Sequence, residues 1–142
     1  MNIKDVYVNF IQYGNKSGKN IVLLHGWGQN IEMMDPIGNK LKKNNRVIIV
    51  DLPGFGLSEE PKSVWTLSDY VSCIKTLLDS LNVKNPILIG HSFGGKISIL
   101  YASKYKVDKL ILLPIGNNVG KEFIGTVLTE SSSNKMKASE WL

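Results

Sequence analysis

The sequence predicts an α/β protein built on a mostly parallel, open sheet with helices on both faces. Three observations carry that expectation. Four short runs, Ile21 to Leu24, Val47 to Val50, Pro86 to Ile89 and Lys109 to Leu113, are almost wholly apolar, as strands buried on both faces of a parallel sheet must be. Helical patterns lie between them, joined by short connections. The unusual residues follow the strands: His25-Gly26-Trp27-Gly28, Asp51-Leu52-Pro53-Gly54 and Gly90-His91-Ser92-Phe93-Gly94. They therefore gather at the carboxyl edge of the sheet, where open α/β folds place their sites.

Each element has a local reason. Val6 to Tyr13 is rich in β-branched and aromatic residues and closes on Gly14-Asn15-Lys16-Ser17-Gly18, which predicts a strand, a turn and an amino-terminal hairpin. From about Met33 to Lys43 a helix is expected, with Pro36 in its first turn and lysines at its end, where the dipole favours cations. Thr66 to Leu81 is the clearest helix, since Leu67, Tyr70, Val71, Ile74, Leu77, Leu78 and Leu81 recur at spacings of three and four. Thr66 and Asp69 have the spacing of a capping box. Gly95 to Tyr105 is the helix between the last two strands.

With 142 residues, 43% of them hydrophobic and 20% charged, the chain is sized for one soluble domain with a real core. Its net charge of +5 comes from dispersed lysines, with local groups at Lys40, Lys42, Lys43 and Arg46 and at Lys104, Lys106 and Lys109. Solvated helix faces account for these, because a nucleic-acid surface would interleave basic residues with aromatics on one side. Cys73 is the one cysteine and falls on an apolar helical stripe, so a buried hydrophobe is expected and no disulfide. Met1-Asn2-Ile3-Lys4-Asp5 lacks the apolar segment of a secretion signal, and no run approaches about 18 apolar residues. A cytoplasmic protein without membrane contact is the expectation, and no metal or cofactor is called for.

Gly90-His91-Ser92-Phe93-Gly94 is a G-x-S-x-G pattern set between an apolar strand and a helix. A serine at such a junction sits on a sharp turn that exposes its hydroxyl, which makes Ser92 the candidate nucleophile. Gly90 and Gly94 leave room where the backbone approaches too closely for a Cβ.

Taken in order, the three loops resemble those of the α/β-hydrolase fold family, in its serine-nucleophile branch. His25-Gly26-Trp27-Gly28 resembles the family's oxyanion loop, Asp51-Leu52-Pro53-Gly54-Phe55-Gly56-Leu57-Ser58 the turn after its next strand, and Gly90 to Gly95 its nucleophile elbow. The resemblance runs from about residue 6 to 113. It implies acyl chemistry on a small-molecule ester or related substrate, with Ser92 attacking a carbonyl and two backbone N–H groups stabilising the oxyanion. Phe93 N–H at the start of the elbow helix is one donor; Trp27 N–H is the other. The two aromatic side chains either line the acyl pocket or simply pack.

The resemblance also assigns supporting roles. His25 is a hydrogen-bonded positioning residue, and Gly26 belongs with it in the loop. His91 directly precedes Ser92 on the sharp turn, so its side chain points away from the hydroxyl in a structural role. Asp51 suits a residue that fixes its turn by accepting backbone N–H groups. No histidine or aspartate follows Leu113, whereas the family's acid and histidine come after the elbow. Losing the histidine costs a serine protease on the order of a million-fold in turnover. A fold truncated after the strand that follows the elbow is therefore expected, with 1–113 as a partial core and 114–142 as an atypical tail outside the resemblance. Within that tail, Lys121 to Thr129 reads as a weak helix and Ser131 to Asn134 as a flexible break. Strand 109–113 would then present an open edge suited to association.

Two alternatives remain at this level. One is a hydrolase-like module that binds without turnover. The other is nucleotide binding, since Gly90 to Lys96 fits seven positions of the phosphate-binding pattern G-x-x-x-x-G-K-[ST], although Ile97 stands where a hydroxyl is needed. Gly54-Phe55-Gly56 begins a dinucleotide pattern but lacks the third glycine at Glu59.

Overall fold

The structure, a computed structural model, describes residues 1–113 and the strand at 126–129. The order is β1 (Asn2–Ile3), β2 (Val6–Tyr7), β3 (Phe10–Gly14), β4 (Lys19–Leu24), α1 (Ile31–Leu41), β5 (Asn45–Val50), α2 (Leu67–Ser80), β6 (Ile87–His91), α3 (Phe93–Lys104), β7 (Lys109–Leu113) and β8 (Thr126–Thr129). β1 and β2 form a minimal hairpin around Lys4 and Asp5, both in the left-handed region at φ 53° and 63°, as a two-residue turn of this twist demands.

The remaining strands form one sheet in the order β3-β5-β4-β6-β7-β8. β5, β4, β6 and β7 run parallel, and β3 and β8 are antiparallel to their neighbours. The apolar runs thus form the parallel core of the sheet. The amino-terminal hairpin expected across Gly14 to Gly18 does not form as a ladder, because β3 pairs with β5 while β4 lies on the far side of β5. The tail also departs from expectation. Thr126–Thr129 is a strand rather than the end of a helix, and it pairs with β7 from Lys109↔Thr129 to Leu112↔Thr126. The edge of strand 109–113 is accordingly occupied, not open, since its N–H and C=O groups find partners in β8. Residues 121–125 and the expected break at 131–134 lie outside the described residues.

Period-two alternation sorts the core onto two faces. Val22, Leu24, Ile48, Val50, Leu88 and Leu110 pack with Val71, Ile74, Leu77 and Leu78 of α2 and Ile97 and Tyr101 of α3. Ile21, Leu23, Val47, Ile49, Ile87 and Ile89 face the other way and pack with Met34 of α1. Helices therefore cover both faces. Each of these side chains is worth about 1.5–3 kcal/mol on full burial, so the two faces together hold the sheet far more firmly than exposed pairs such as Lys19–Asp108.

Helix ends follow local chemistry. Thr66 and Asp69 form the capping box in both directions, with Thr66 N–H donating to Asp69 Oδ2 at 2.7 Å and Asp69 N–H to Thr66 Oγ1 at 3.3 Å. α1 begins at Ile31, earlier than the apolar pattern implied, because Asn30 caps it by accepting Glu32 N–H at 3.0 Å. Pro36 consequently lies in the second turn, where it costs the Glu32 carbonyl its intrahelical donor. Glu32 is exposed, so water can take that place. Among the described residues no helix is long and apolar enough to cross a membrane.

Candidate active site

Register brings three loops to one level. Leu24, the last residue of β4, pairs with Val50 on one side and Gly90 on the other. His25, Asp51 and His91 are therefore the next residues of three adjacent strands.

Only Ser92 separates β6 from α3, and it sits at φ 52°, ψ −113°. A side-chain residue held there stores roughly 1–3 kcal/mol of backbone strain, which the packing on either side must hold. Gly90 and Gly94 show how. A Cβ on Gly94 would strike the carbonyl oxygens of Leu24 and His25, and one on Gly90 would lie 2.5 Å from the Gly94 carbonyl and 2.6 Å from Ser98 Oγ. The close approach inferred from the spacing is thus present. Ser98, buried in α3, donates its hydroxyl to the Gly94 carbonyl at 2.7 Å. Ser92 makes no side-chain cap to its own helix, so its hydroxyl stays available at the helix N-terminus.

Across from it, Gly26 to Gln29 forms a turn closed by Gln29 N–H donating to the Gly26 carbonyl at 3.1 Å. Gly28 at its third position has φ 74°, as a type II turn requires. Trp27 occupies the second position, where the N–H is not used by the turn. Phe93 N–H, at the first helical position of α3, likewise has no intrahelical acceptor. Gly26 packs on the elbow: a Cβ there would lie 3.2 Å from Ser92 Cβ.

His25 is fully buried. Its Nε2 accepts the Leu52 N–H at 2.9 Å, and its Nδ1, which then carries the proton, donates to the Gly26 carbonyl at 2.7 Å. Burial pushes its pKa below the ordinary histidine value, outweighing the opposing effects of the Gly26 carbonyl and Asp51. Both ring nitrogens are engaged, so His25 ties two loops together as a neutral ring. The other histidine, His91, places Nδ1 3.2 Å from Gln29 Oε1 and likewise faces the turn.

Asp51 is 2% exposed and holds three elements together. Oδ1 accepts Ile31 N–H at 2.8 Å, and Oδ2 accepts Leu57 N–H and Asn9 Nδ2 at 2.9 Å each. Its reach exceeds the single turn expected from the spacing, since it also anchors the start of α1 and the approach to β3.

Two features escaped sequence reasoning. Gln29 Oε1 also accepts Gly26 N–H at 3.0 Å; nothing in its spacing marks it. Phe55 joins a chain of aromatic edges beside the serine: Trp65 meets Tyr70 at 5.2 Å, Tyr70 meets Phe93 at 5.1 Å, Phe93 meets Trp27 at 5.1 Å and Trp27 meets Phe55 at 4.8 Å. Trp27 remains 68% exposed, so this wall keeps one apolar face toward solvent beside Ser92. The aromatic residues of the motifs were thus visible singly, whereas their contact is tertiary.

The phosphate-binding alternatives lack their geometry. A P-loop needs a run of residues between strand and helix to wrap an anion in N–H groups, and here Ser92 stands alone between β6 and α3. The Gly54-Phe55-Gly56 turn does not open a helix either, because α2 starts only at Leu67. Among the described residues no three histidine, cysteine or acidic side chains cluster to hold a metal.

Known proteins resemble this chain over most of its length. A profile described as alpha/beta hydrolase fold matches residues 19–124, which extends the similarity into the segment after Leu113 that the motifs left unassigned. The AB hydrolase superfamily protein YisY of Bacillus subtilis is 39% identical over 100 residues, covering 68% of this chain and 37% of that protein. A pimeloyl-[acyl-carrier protein] methyl ester esterase of Pseudoalteromonas atlantica is 37% identical over 101 residues, with the same coverage of 68% and 37%. A solved structure from a study of carboxylesterases of Nitrososphaera gargenis superposes with a TM-score of 0.71 at 34% identity, covering 75% of this chain and 41% of that one. The chain spans roughly a third of the length of the curated relatives it matches.

Proposed function

This chain belongs to the alpha/beta hydrolase fold family, and from that membership we propose that it carries the nucleophile and oxyanion half of a serine hydrolase site for small acyl esters. The observation that carries the reading is Ser92, strained at φ 52° at a helix N-terminus and facing the Gly26 to Gln29 turn.

In this reading Ser92 Oγ attacks the ester carbonyl carbon and its proton leaves to a base. Charge develops on the carbonyl oxygen, where Trp27 N–H and Phe93 N–H donate to it without reorganising. Collapse of the tetrahedral intermediate breaks the bond to the alkoxy oxygen, which departs with a proton. Water then repeats the sequence on the acyl-serine and restores Ser92. The aromatic wall of Phe55, Trp27 and Phe93 offers the acyl chain an apolar surface. Relatives whose names specify a methyl ester esterase and carboxylesterases support an ester as the substrate class.

Neither histidine is placed as the base: His25 is engaged at both nitrogens and His91 Nδ1 faces Gln29. A second reading, which the engagement of these two histidines would suit, is a module that binds acyl ligands without turnover. Without a base, oxyanion stabilisation and binding still supply roughly 1000- to 10,000-fold over water in a serine protease. p-Nitrophenyl acetate hydrolysis separates the two. Ser92-dependent hydrolysis predicts a rate that falls to the level of free solution in Ser92→Ala. Trp27→Pro tests the turn donor, since proline suits the second position of this turn but has no N–H. Its rate should fall about 100-fold or more below that of Trp27→Ala, which keeps the donor. A rate that Ser92→Ala leaves unchanged would overturn the catalytic reading.

A further inference from the structure

We propose that Gln29 is a positioning residue whose side-chain oxygen bolts the oxyanion turn to the nucleophile elbow through His91. The catalytic consequence rests on the function proposed above, while the bridge itself does not. Gly26 N–H can only donate, so the Gln29 atom 3.0 Å from it must be the amide oxygen. The same oxygen lies 3.2 Å from His91 Nδ1. His91 must then carry its proton on Nδ1, because two acceptors would repel.

The turn needs such a tie. Trp27 lies between Gly26 and Gly28, and Gly28 has open space around it at φ 74°, so the backbone that aims Trp27 N–H has little steric restraint of its own. Gly26 is where restraint enters. Its carbonyl accepts from His25 Nδ1 and Gln29 N–H, and its N–H donates to Gln29 Oε1. A Cβ at Gly26 would fall 2.9 Å from His91 Nδ1, 3.0 Å from Gln29 Oε1 and 3.2 Å from Ser92 Cβ, so the bridge, the turn and the elbow meet on this residue. Gln29 thereby couples the angle of one proposed donor to the residue next to the nucleophile. A misplacement on the scale of an ångström costs on the order of 100-fold in such sites.

Long-range proton–nitrogen NMR correlation of the histidine rings at pH 8, together with amide exchange, tests the bridge without turnover. Wild type should show His91 as the Nδ1–H tautomer. Gln29→Leu should shift it toward Nε2–H and accelerate Gly26 amide exchange about ten-fold. Gln29→Glu, which still offers an oxygen, should restore both. In the p-nitrophenyl acetate assay Gln29→Leu should lower kcat about ten-fold with KM little changed, and Gln29→Glu should recover most of it. A His91 tautomer or Gly26 exchange rate indifferent to Gln29→Leu would overturn the bridge. An unchanged kcat in Gln29→Leu, where Ser92→Ala abolishes the rate, would overturn its positioning role. If Ser92→Ala has no effect while the NMR changes occur, the bridge stands and the proposed function fails.

Discussion

The α-carbon of Gly94 faces the backbone of His25 so closely that a Cβ at Gly94 would lie 2.5 Å from the His25 carbonyl oxygen. The first turn of α3 is thus seated directly on the end of β4. Because the obstructing atoms are backbone, they cannot rotate aside. Gly94→Ala should destabilise the protein by about 3 kcal/mol, at the upper end for overpacking, and lower Tm by about 10 °C. Gly95 is the matched control: the nearest atom to a Cβ there is 3.5 Å away. Gly95→Ala should be neutral or add up to about 1 kcal/mol through helix propensity. Thermal unfolding of the two variants side by side checks the contrast.

Asp51 joins three segments through its two oxygens. In Asp51→Asn one of those oxygens becomes an NH₂ group facing either Ile31 N–H or the pair formed by Leu57 N–H and Asn9 Nδ2. Asn9 can turn its amide over, but a backbone N–H cannot. The expected loss is about 2 kcal/mol, whereas Asn9→Ala should cost only about 1 kcal/mol. Urea denaturation midpoints distinguish the two, and equal losses would contradict the backbone-donor argument.

Stability should fall on mild acidification because of His25. Its folded-state pKa lies below the ordinary value of 6.5 through burial, so below pH 6.5 the unfolded chain takes up a proton that the folded chain refuses. The contribution is complete above pH 6.5 and is lost as the pH drops from there toward the folded-state value. Urea midpoints should be lower at pH 5.5 than at pH 7.5. His25→Gln, which does not titrate, should flatten that difference.

The Cys73 thiol is buried and its pKa is pushed up to about 12 by desolvation. It should resist a disulfide reagent at pH 8 in the folded protein and react promptly in urea, because the thiolate is the reactive form. Rapid labelling of the native protein would show that the α2 face opens readily.

Much of the frame is legible in the chain because its signals are local. The capping box at Thr66 and Asp69 is a spacing of three, and the stripe from Leu67 to Leu78 repeats with the helix. Strand starts were less legible. β4 begins at Lys19 and β5 at Asn45, where backbone hydrogen bonds alone carry the ladder and the apolar pattern has already stopped. The strand at Thr126–Thr129 was missed because TVLT suits either a helix end or a strand, and only pairing with β7 decides between them.

For the candidate site, the sequence alone singled out the sharp turn at Ser92 and the close approach at Gly90 and Gly94, since a strand-to-helix turn of one residue demands small neighbours at fixed offsets. Its resemblance to a known family implied a positioning role for His25, and the turn residues after Asp51 suited a carboxylate that fixes that turn. Tertiary structure decided the rest. That β3 pairs with β5, that Asp51 reaches Ile31, that Phe55 meets Trp27 and that Gln29 bridges to His91 all depend on which strand ends come to lie side by side. An apolar strand specifies that it is buried, not which neighbour it takes, so contacts made across loops appear only once the register is set.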